Sequence, residues 1–394
     1  MTDQPANPNE FILIAAYKQL AHTKHIASLS SFTAACKKAR LHKTLIDSDF
    51  SAKLTSASTT MCLMANGQLL MDVTRSTVAV VDSKKLMADL KASESRGDVN
   101  DGKIEIESQM WNNLEYSGTS HLMVAWRDML VHLFIGCHMA FVKAGEVVFD
   151  TGRANTPGEY QAMLNETSSL SMFGRGAVAW KDYLFYASKD GNKLISVNLE
   201  QILDEKKFNQ TEHSIDCYAL GLNNSQLVCV SSSGNATLIN LQKQKIQKLD
   251  QIAIKTSICG EKNEEYQAVG VSDTTIIVGC SFKGTATANT QRLTMLSNKS
   301  FKVLSSLVII PVELNNLFIH SILFITKKRH EFAIVLNFYS HAHLVAVRGK
   351  KMQNVVSNVM ICSDFLNSAC KCMESILVTG QEQNRRFFKL DVVF

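Results

Sequence analysis

The sequence has 394 residues, of which 46% are hydrophobic and 20% are charged, with 41 basic and 36 acidic side chains and a net charge of +5. This composition is typical of a folded chain and excludes an intrinsically disordered one. A charge excess this small, spread along the whole length, does not by itself indicate a nucleic-acid-binding protein.

The first 58 residues differ from the rest of the chain. Residues 11–16 read Phe-Ile-Leu-Ile-Ala-Ala, a run of apolar and small residues that predicts a strand. Residues 30–45 carry apolar side chains among several lysines and predict the longest helix of the chain. We therefore expect a separate N-terminal segment of one strand and one helix over residues 1–58.

Residues 59–394 alternate between short apolar stretches and tight turns. Six such units begin near residues 60, 124, 177, 217, 266 and 321, and a last unit begins near residue 367. Turns such as Asp190-Gly191 are strong signals for a β-hairpin. Each unit is therefore predicted to form a small antiparallel sheet.

Three of these units share a short motif in which an apolar strand is followed by a serine, two further residues and a glycine. The copies end at Gly191, Gly234 and Gly284, at intervals of 43 and 50 residues. Trp126 and Trp180, 54 residues apart, also lie in nearly identical sequences, Val-Ala-Trp-Arg-Asp and Val-Ala-Trp-Lys-Asp. A period of this size is typical of a repeat architecture.

Helical content is predicted to be minor in this part of the chain. Residues 83–90, 158–165 and 199–207 are expected to form short connecting helices. Residues 91–102, which are rich in Ser, Asp, Glu and Gly, are typical of a surface loop.

The serine–glycine turn after an apolar strand resembles the middle of a WD40 repeat. The chain is similar to the WD40-like β-propeller superfamily over about residues 59–394, most specifically over 177–296, although the Gly-His and Trp-Asp dipeptides of WD40 repeats are absent. The resemblance implies an all-β fold: a single propeller of seven blades, with eight as the alternative, mostly of four-stranded antiparallel sheets. Residues 1–58 would close the ring, with the strand at 11–16 completing the last blade or belonging to an eighth.

No metal, cofactor or catalytic site is predicted. Loose groups of potential ligands are Cys362 with Cys370 and Cys372, His341 with His343, and His132 with Cys137 and His138. None has the two close ligand pairs that are typical of zinc sites. Phosphate-binding loops and serine-nucleophile motifs are also missing. We therefore expect no cofactor and no enzymatic activity, and an enzyme with its site at the central channel is only a third hypothesis.

Loops on a rigid scaffold commonly carry recognition, so the candidate partner-binding residues are basic side chains in predicted loops and turns, the basic group on the predicted helix over residues 30–45, and one tryptophan. These are Lys37, Lys38, Arg40, Trp111, Arg153, Lys327, Lys328, Arg329, Arg348, Lys350 and Lys351. The alternative for the basic turns is that they simply face water.

The favoured function is a non-catalytic scaffold that mediates protein–protein interactions within a larger intracellular complex. The alternative is a propeller that docks on nucleic acid or a ribonucleoprotein through its basic turns. The polar N-terminus does not resemble a secretory signal, and the ten cysteines lack pairwise spacing. The apolar stretches are much shorter than the roughly 20 residues that span a bilayer. We therefore expect a cytoplasmic or nuclear protein without membrane insertion.

Overall fold

The computed structural model describes residues 37–46, 60–74, 76–96, 106–114, 120–134, 139–151, 177–188, 191–207, 209–243, 246, 249, 254–258, 264–282, 290–309, 319–338, 340–382 and 385–394. Within them, 28 strands form seven antiparallel sheets of four strands, which are the blades of a propeller. The seven-bladed all-β prediction is confirmed.

The first strand, β1 (Arg40–Leu45), belongs to the last blade, and the other strands follow the chain from blade 1 to blade 7. Blade 1 contains β2 (Met61–Leu63), β3 (Gln68–Thr74), β4 (Thr77–Asp82) and β5 (Ser108–Trp111). Blade 2 contains β6 (Ser120–Trp126), β7 (Met129–Phe134), β8 (Met139–Lys143) and β9 (Glu146–Asp150). Blade 3 contains β10 (Val178–Trp180), β11 (Tyr183–Ala187), β12 (Leu194–Asn198) and β13 (Gln210–His213).

The remaining blades have the same construction. Blade 4 contains β14 (Ala219–Asn223), β15 (Gln226–Val230), β16 (Asn235–Asn240) and β17 (Ile254–Ser257). Blade 5 contains β18 (Glu264–Val271), β19 (Thr275–Phe282), β20 (Thr290–Ser297) and β21 (Val303–Ile309). Blade 6 contains β22 (Ile319–Lys327), β23 (His330–Asn337), β24 (His341–Arg348) and β25 (Lys351–Met360). Blade 7 contains β26 (Leu366–Cys372), β27 (Ser375–Glu382) and β28 (Arg385–Val393), and β1 is its fourth strand.

The ring is closed by β1. This strand pairs antiparallel with β28, from Arg40 opposite Val393 to Leu45 opposite Phe388. The helix predicted over residues 30–45 is therefore wrong at 40–45, because these residues complete the hydrogen-bonded edge of blade 7. The strand predicted at 11–16 and the start of that helix lie outside the described residues. The place at the edge of the last blade that we expected 11–16 to take is occupied by β1.

Two connecting helices agree with the sequence prediction. The first, α1 (Ser83–Arg96), follows β4, and the Asp82 carboxylate accepts hydrogen bonds from its first backbone N–H groups. It extends through residues 91–96, where we had expected a loop. The second, α2 (Leu199–Glu205), follows β12 and is capped by Asn198. The helix predicted at 158–165 lies outside the described residues, and no described helix is long and apolar enough to cross a membrane.

The serine–glycine motif forms the turn between the second and third strands of a blade. In blade 3 the Ser188 hydroxyl accepts a hydrogen bond from the N–H of Lys193, and Gly191 has a φ of +69°. In blade 4 Ser231 accepts from the N–H of Asn235, and Gly234 has a φ of +78°. The glycine is required because side chains disfavour this left-handed conformation. The last residue of the third copy lies outside the described residues.

The core consists of apolar layers between neighbouring blades. Between blades 2 and 3, Val131 and Phe141 pack against Val197 and are fully or almost fully buried. Between blades 6 and 7, Leu344 and Phe388 belong to another such layer. Each buried side chain of this kind stabilises the fold by roughly 1.5–3 kcal/mol. A single blade would leave one or both apolar faces in water, so the blades depend on the complete ring.

The first strands of the blades lie innermost, and two glycines let neighbouring ones approach closely. A Cβ atom at Gly221 of β14 would lie 2.7 Å from the carbonyl oxygen of Val269. A Cβ atom at Gly270 of β18 would lie 2.7 Å from the carbonyl oxygen of Ile322. These distances are shorter than van der Waals contact, so both positions require glycine for the first strands of neighbouring blades to pack this closely.

We predict that Gly270→Ala lowers the free energy of unfolding by about 1–3 kcal/mol, because the added methyl group collides with backbone that must shift. Urea denaturation of the full chain measures this. Gly279→Ala in the same blade is the matched control: its nearest atom is the flexible end of Ile319, at 2.7 Å, and we expect a smaller loss. Equal losses for the two variants would contradict the close-approach explanation.

Candidate protein-binding surface

The antiparallel order of the strands places the basic turns at one end of the propeller. In every blade the turn between strands one and two and the connection between strands three and four leave from the same end. Lys328 and Arg329 form the first of these turns in blade 6, and Gly349 and Lys350 form the second. As the fourth strand of blade 7, β1 begins at this end too, which places Arg40 there.

Basic side chains from three distant segments therefore gather where blades 6 and 7 meet. We define the basic surface as Lys37, Lys38, Arg40, Lys328, Arg329, Arg348, Lys350 and Lys351. Lys37 and Arg40 line an open groove of about 490 Å³ together with residues 353–356 of β25. Residues 353–356 follow Lys351, the first residue of β25, by only a few positions. Lys37 and Arg40 therefore lie close to the cations of blade 6.

Lys327, predicted as a binding residue, has acidic partners in blade 7. Its Nζ atom lies 2.9 Å from a carboxylate oxygen of Glu374 and 3.4 Å from one of Asp391. Burial tends to lower the pKa of Lys327, but the hydrogen bond to Glu374 and the charge of Asp391 outweigh burial and raise the pKa. The hydrogen bond from Lys327 also lowers the pKa of Glu374. Lys327 therefore ties blade 6 to blade 7.

Five of the other cations have no acidic partner among the described residues. Lys37, Lys38, Arg329, Lys350 and Lys351 are exposed, and none forms an ion pair with an acidic side chain in the described part of the chain. The guanidinium of Arg40 donates hydrogen bonds to the carbonyl oxygens of Lys37 and Ala39, both at 2.9 Å. Excess positive charge is thus left facing solvent.

Three large apolar side chains are exposed at the same end of blade 7. Met373, Val393 and Phe394 are 49%, 41% and 36% exposed. Val393 pairs with Arg40 across β28 and β1, and the Nζ atom of Lys328 lies 4.8 Å from the centre of the Phe394 ring. We call these three residues the apolar patch.

The Lys328–Arg329 turn has strained backbone. The φ angles of Lys328 and Arg329 are +48° and +66°. A two-residue hairpin turn of this kind favours Asn-Gly, because glycine adopts a positive φ without a steric penalty. Among the described residues, this is the one place where two successive residues other than glycine have positive φ. A left-handed residue other than glycine costs on the order of 1–2 kcal/mol, which the rest of the blade must offset.

Polar contacts between neighbouring blades fix the turns at this end. In addition to Lys327 with Glu374, the contacts are Arg127 with Asp182 at 2.6 Å, Asn223 with Asp273 at 2.9 Å, and Thr274 with Glu331 at 3.1 Å. Each joins the first turn of one blade to the first turn, or the start of the second strand, of the next. The first turns at this end are therefore held in place by contacts between neighbouring blades.

The two other candidate residues do not join this surface. Trp111 is only 9% exposed and packs in the core between blades 1 and 2. A Cβ atom at Gly145 would lie 3.0 Å from its ring, which shows how closely the indole is enclosed. We therefore leave Trp111 out of the proposed surface. Arg153 lies outside the described residues.

The histidine and cysteine groups singled out in the sequence include several buried members. Burial lowers the pKa of His132 to about 3 and raises the pKa of Cys370 to about 12. His343 is fully buried, with Nε2 3.0 Å from the Asn337 amide and Nδ1 accepting a hydrogen bond from the N–H of Asn358. Burial and the neighbouring His341 lower the pKa of His343 to about 4. No group of three potential metal ligands is found among the described residues.

Comparisons with known proteins identify the fold. No protein-family model and no curated protein sequence matches the chain. The N-terminal domain of Nup159 is similar in structure, with a TM-score of 0.52 and 9% identity over 91% of this chain and 96% of that one. A chain of the Mitotic Checkpoint Complex is similar with a TM-score of 0.53 and 8% identity, over 90% of this chain and 91% of that one. The WD40 domain of Toxoplasma gondii coronin is similar with a TM-score of 0.50 and 10% identity, over 91% of this chain and 87% of that one. The chain thus has the fold of WD40-type β-propellers.

We predict that Lys328→Asn combined with Arg329→Gly leaves the free energy of unfolding unchanged or raises it by up to about 1 kcal/mol, because an Asn-Gly turn relieves the left-handed strain. Chemical denaturation of the full chain measures this. A loss of more than about 1 kcal/mol would show instead that the two side chains stabilise the fold.

We also predict that stability falls as the pH drops from 6.5 toward 4. An unfolded histidine binds a proton below its ordinary pKa of 6.5, whereas folded His343 resists protonation down to about 4, so acid favours the unfolded chain. His343→Gln removes the imidazole that takes up this proton in the unfolded chain. The free energy of unfolding should therefore fall less between pH 7 and pH 5, by up to about 2 kcal/mol. Equal losses in both proteins, measured by urea denaturation, would contradict the assignment.

Proposed function

We propose that the chain is a non-catalytic intracellular scaffold that holds protein partners in a larger assembly through the basic surface. The observation that carries this proposal is the convergence of exposed, uncompensated cations from three distant segments on one end of blades 6 and 7. Complementary charge steers a partner to its site and fixes its orientation. A surface of this kind therefore suits an acidic partner.

The backbone of the same surface supports a binding role. Lys328 and Arg329 occupy turn positions where glycine would be less strained. Strained residues that persist in a fold are commonly found at functional sites. The proposal explains this cost, because the two side chains then serve recognition and not stability.

The neighbours in structure agree with a scaffold function. Nup159 is present with Dbp5 and Gle1 in a S. cerevisiae complex, and a similar propeller is part of the Mitotic Checkpoint Complex. The chemical environments found here point the same way. The strongly shifted pKa values of His132, His343 and Cys370 arise from burial inside the sheets, which is typical of structural side chains.

Docking on nucleic acid is the second candidate, because phosphates would also be attracted to the basic surface. Three carboxylates at the same end weaken this candidate: Glu331, Glu374 and Asp391 lie on the first turns and strand ends of blades 6 and 7. In either case the cytoplasm or the nucleus is the proposed location.

We predict that removing the cations releases the partner. The full chain, tagged at its N-terminus, is purified from its own cells, and co-purifying proteins are quantified by mass spectrometry. The variant carries Lys328→Asn, Arg329→Gly, Lys350→Gln and Lys351→Gln, and we expect at least about tenfold less partner, equivalent to about 1.4 kcal/mol. The matched control, Lys299→Gln with Lys302→Gln at a turn of blade 5, should retain it.

Two outcomes would contradict the scaffold proposal. If the variant and the control retain the same proteins, the basic surface is not the binding site. If nuclease treatment removes the co-purifying proteins, and binding to RNA or DNA weakens steeply with salt, the nucleic-acid hypothesis replaces the scaffold.

A further inference from the structure

We propose that the basic surface binds a short acidic segment of a partner protein in which bulky apolar side chains alternate with carboxylates. This inference rests on the proposed scaffold function and specifies the chemistry of the partner. The occupant is identified by complementarity to two features that lie side by side, the uncompensated cations and the apolar patch.

The groove beside β1 gives the first argument. Lys37 and Arg40 form one wall, and Gln353 and Asn354 are exposed on the other. Val355 and Val356 also line the groove and are half-buried. The volume of about 490 Å³ falls within the range of about 300–1,000 Å³ that is usual for ligand sites. A peptide with carboxylates and apolar side chains could pair with the two cations and cover the two valines.

The apolar patch gives the second argument. Met373, Val393 and Phe394 are exposed although each is large and apolar. Two of them lie beside cations of the basic surface: Val393 is paired with Arg40, and Phe394 is covered on one face by Lys328. Exposed apolar side chains rimmed by polar ones are typical of interaction sites, in which the apolar centre is buried and the charged rim selects the partner.

The same features disfavour nucleic acid as the occupant. The face of the Phe394 ring nearest the cations is covered by Lys328, so it offers no platform on which a base could stack. At the boundary between blades 6 and 7, Lys327 is already paired with Glu374 and Asp391, so it is not free to bind a phosphate backbone that crosses there. An acidic peptide can place its carboxylates away from these two residues and its apolar side chains on the patch.

The test uses the full chain and three fluorescent probes: a 12-residue peptide of Asp and Glu with two Phe and one Leu, the same peptide with these three replaced by Ser, and a 12-nucleotide single-stranded RNA. We expect the apolar-containing peptide to bind at least fivefold more tightly than the Ser peptide and the RNA. Lys328→Asn with Arg329→Gly should weaken both peptides about tenfold without loss of folding.

A second variant isolates the apolar patch. Met373→Ser with Val393→Ser should remove most of the preference for the apolar-containing peptide and leave the Ser peptide unchanged. Val303→Ser with Val308→Ser, at exposed positions of β21 in blade 5, is the matched control and should change neither. Circular dichroism and denaturation confirm that each variant is folded.

The outcomes separate this inference from the proposed function. Equal binding of the two peptides, or unchanged binding by the Lys328 and Arg329 variant, would overturn the acidic–apolar peptide as the ligand. If the cellular partner is still lost from the surface variant in that case, the scaffold proposal stands and only the ligand chemistry is wrong. RNA binding tighter than that of either peptide would also overturn the inference.

Discussion

The pairing of β1 with β28 is the constraint on which the rest of the molecule depends. The blades bury apolar side chains in layers against their neighbours, so an open ring would leave the outer faces of its end blades in water. The six residue pairs from Arg40–Val393 to Leu45–Phe388 give blade 7 its fourth strand. Because Lys37, Lys38 and Arg40 lead into β1, the same pairing brings them to blade 6. The pairing of β1 with β28 thus both closes the fold and assembles the basic surface.

Neighbouring residues of one short segment have different roles, since one stabilises the fold and the next two are proposed to bind the partner. Lys327 is held by Glu374 and Asp391 and joins two blades, whereas Lys328 and Arg329 project from a strained turn. The contact of Thr274 with Glu331 joins the start of β23, next to this turn, to blade 5. The backbone that carries these cations is therefore fixed before a partner binds, so less conformational entropy is lost on binding.

Local sequence signals predicted most of the architecture. The serine–glycine turns near Gly191 and Gly234 and the helix starts after Asp82 and Asn198 depend on nearby hydrogen bonds, which leave a readable pattern. The closing strand was missed because Arg40–Leu45 is largely polar and is a strand only through its pairing with the far end of the chain. The burial of Trp111, the partners of Lys327 and the apolar patch likewise depend on contacts between blades. The basic turns could be recognised one by one, but not their convergence.

Zero-length cross-linking can show directly whether an acidic segment binds where blades 6 and 7 meet. A carbodiimide joins lysine amines to peptide carboxylates in contact, and mass spectrometry locates the links. We expect links from the acidic, apolar-containing peptide to lysines of all three segments: Lys37 or Lys38, Lys328, and Lys350 or Lys351. Links concentrated at Lys299 and Lys302, or distributed evenly over the blades, would contradict it.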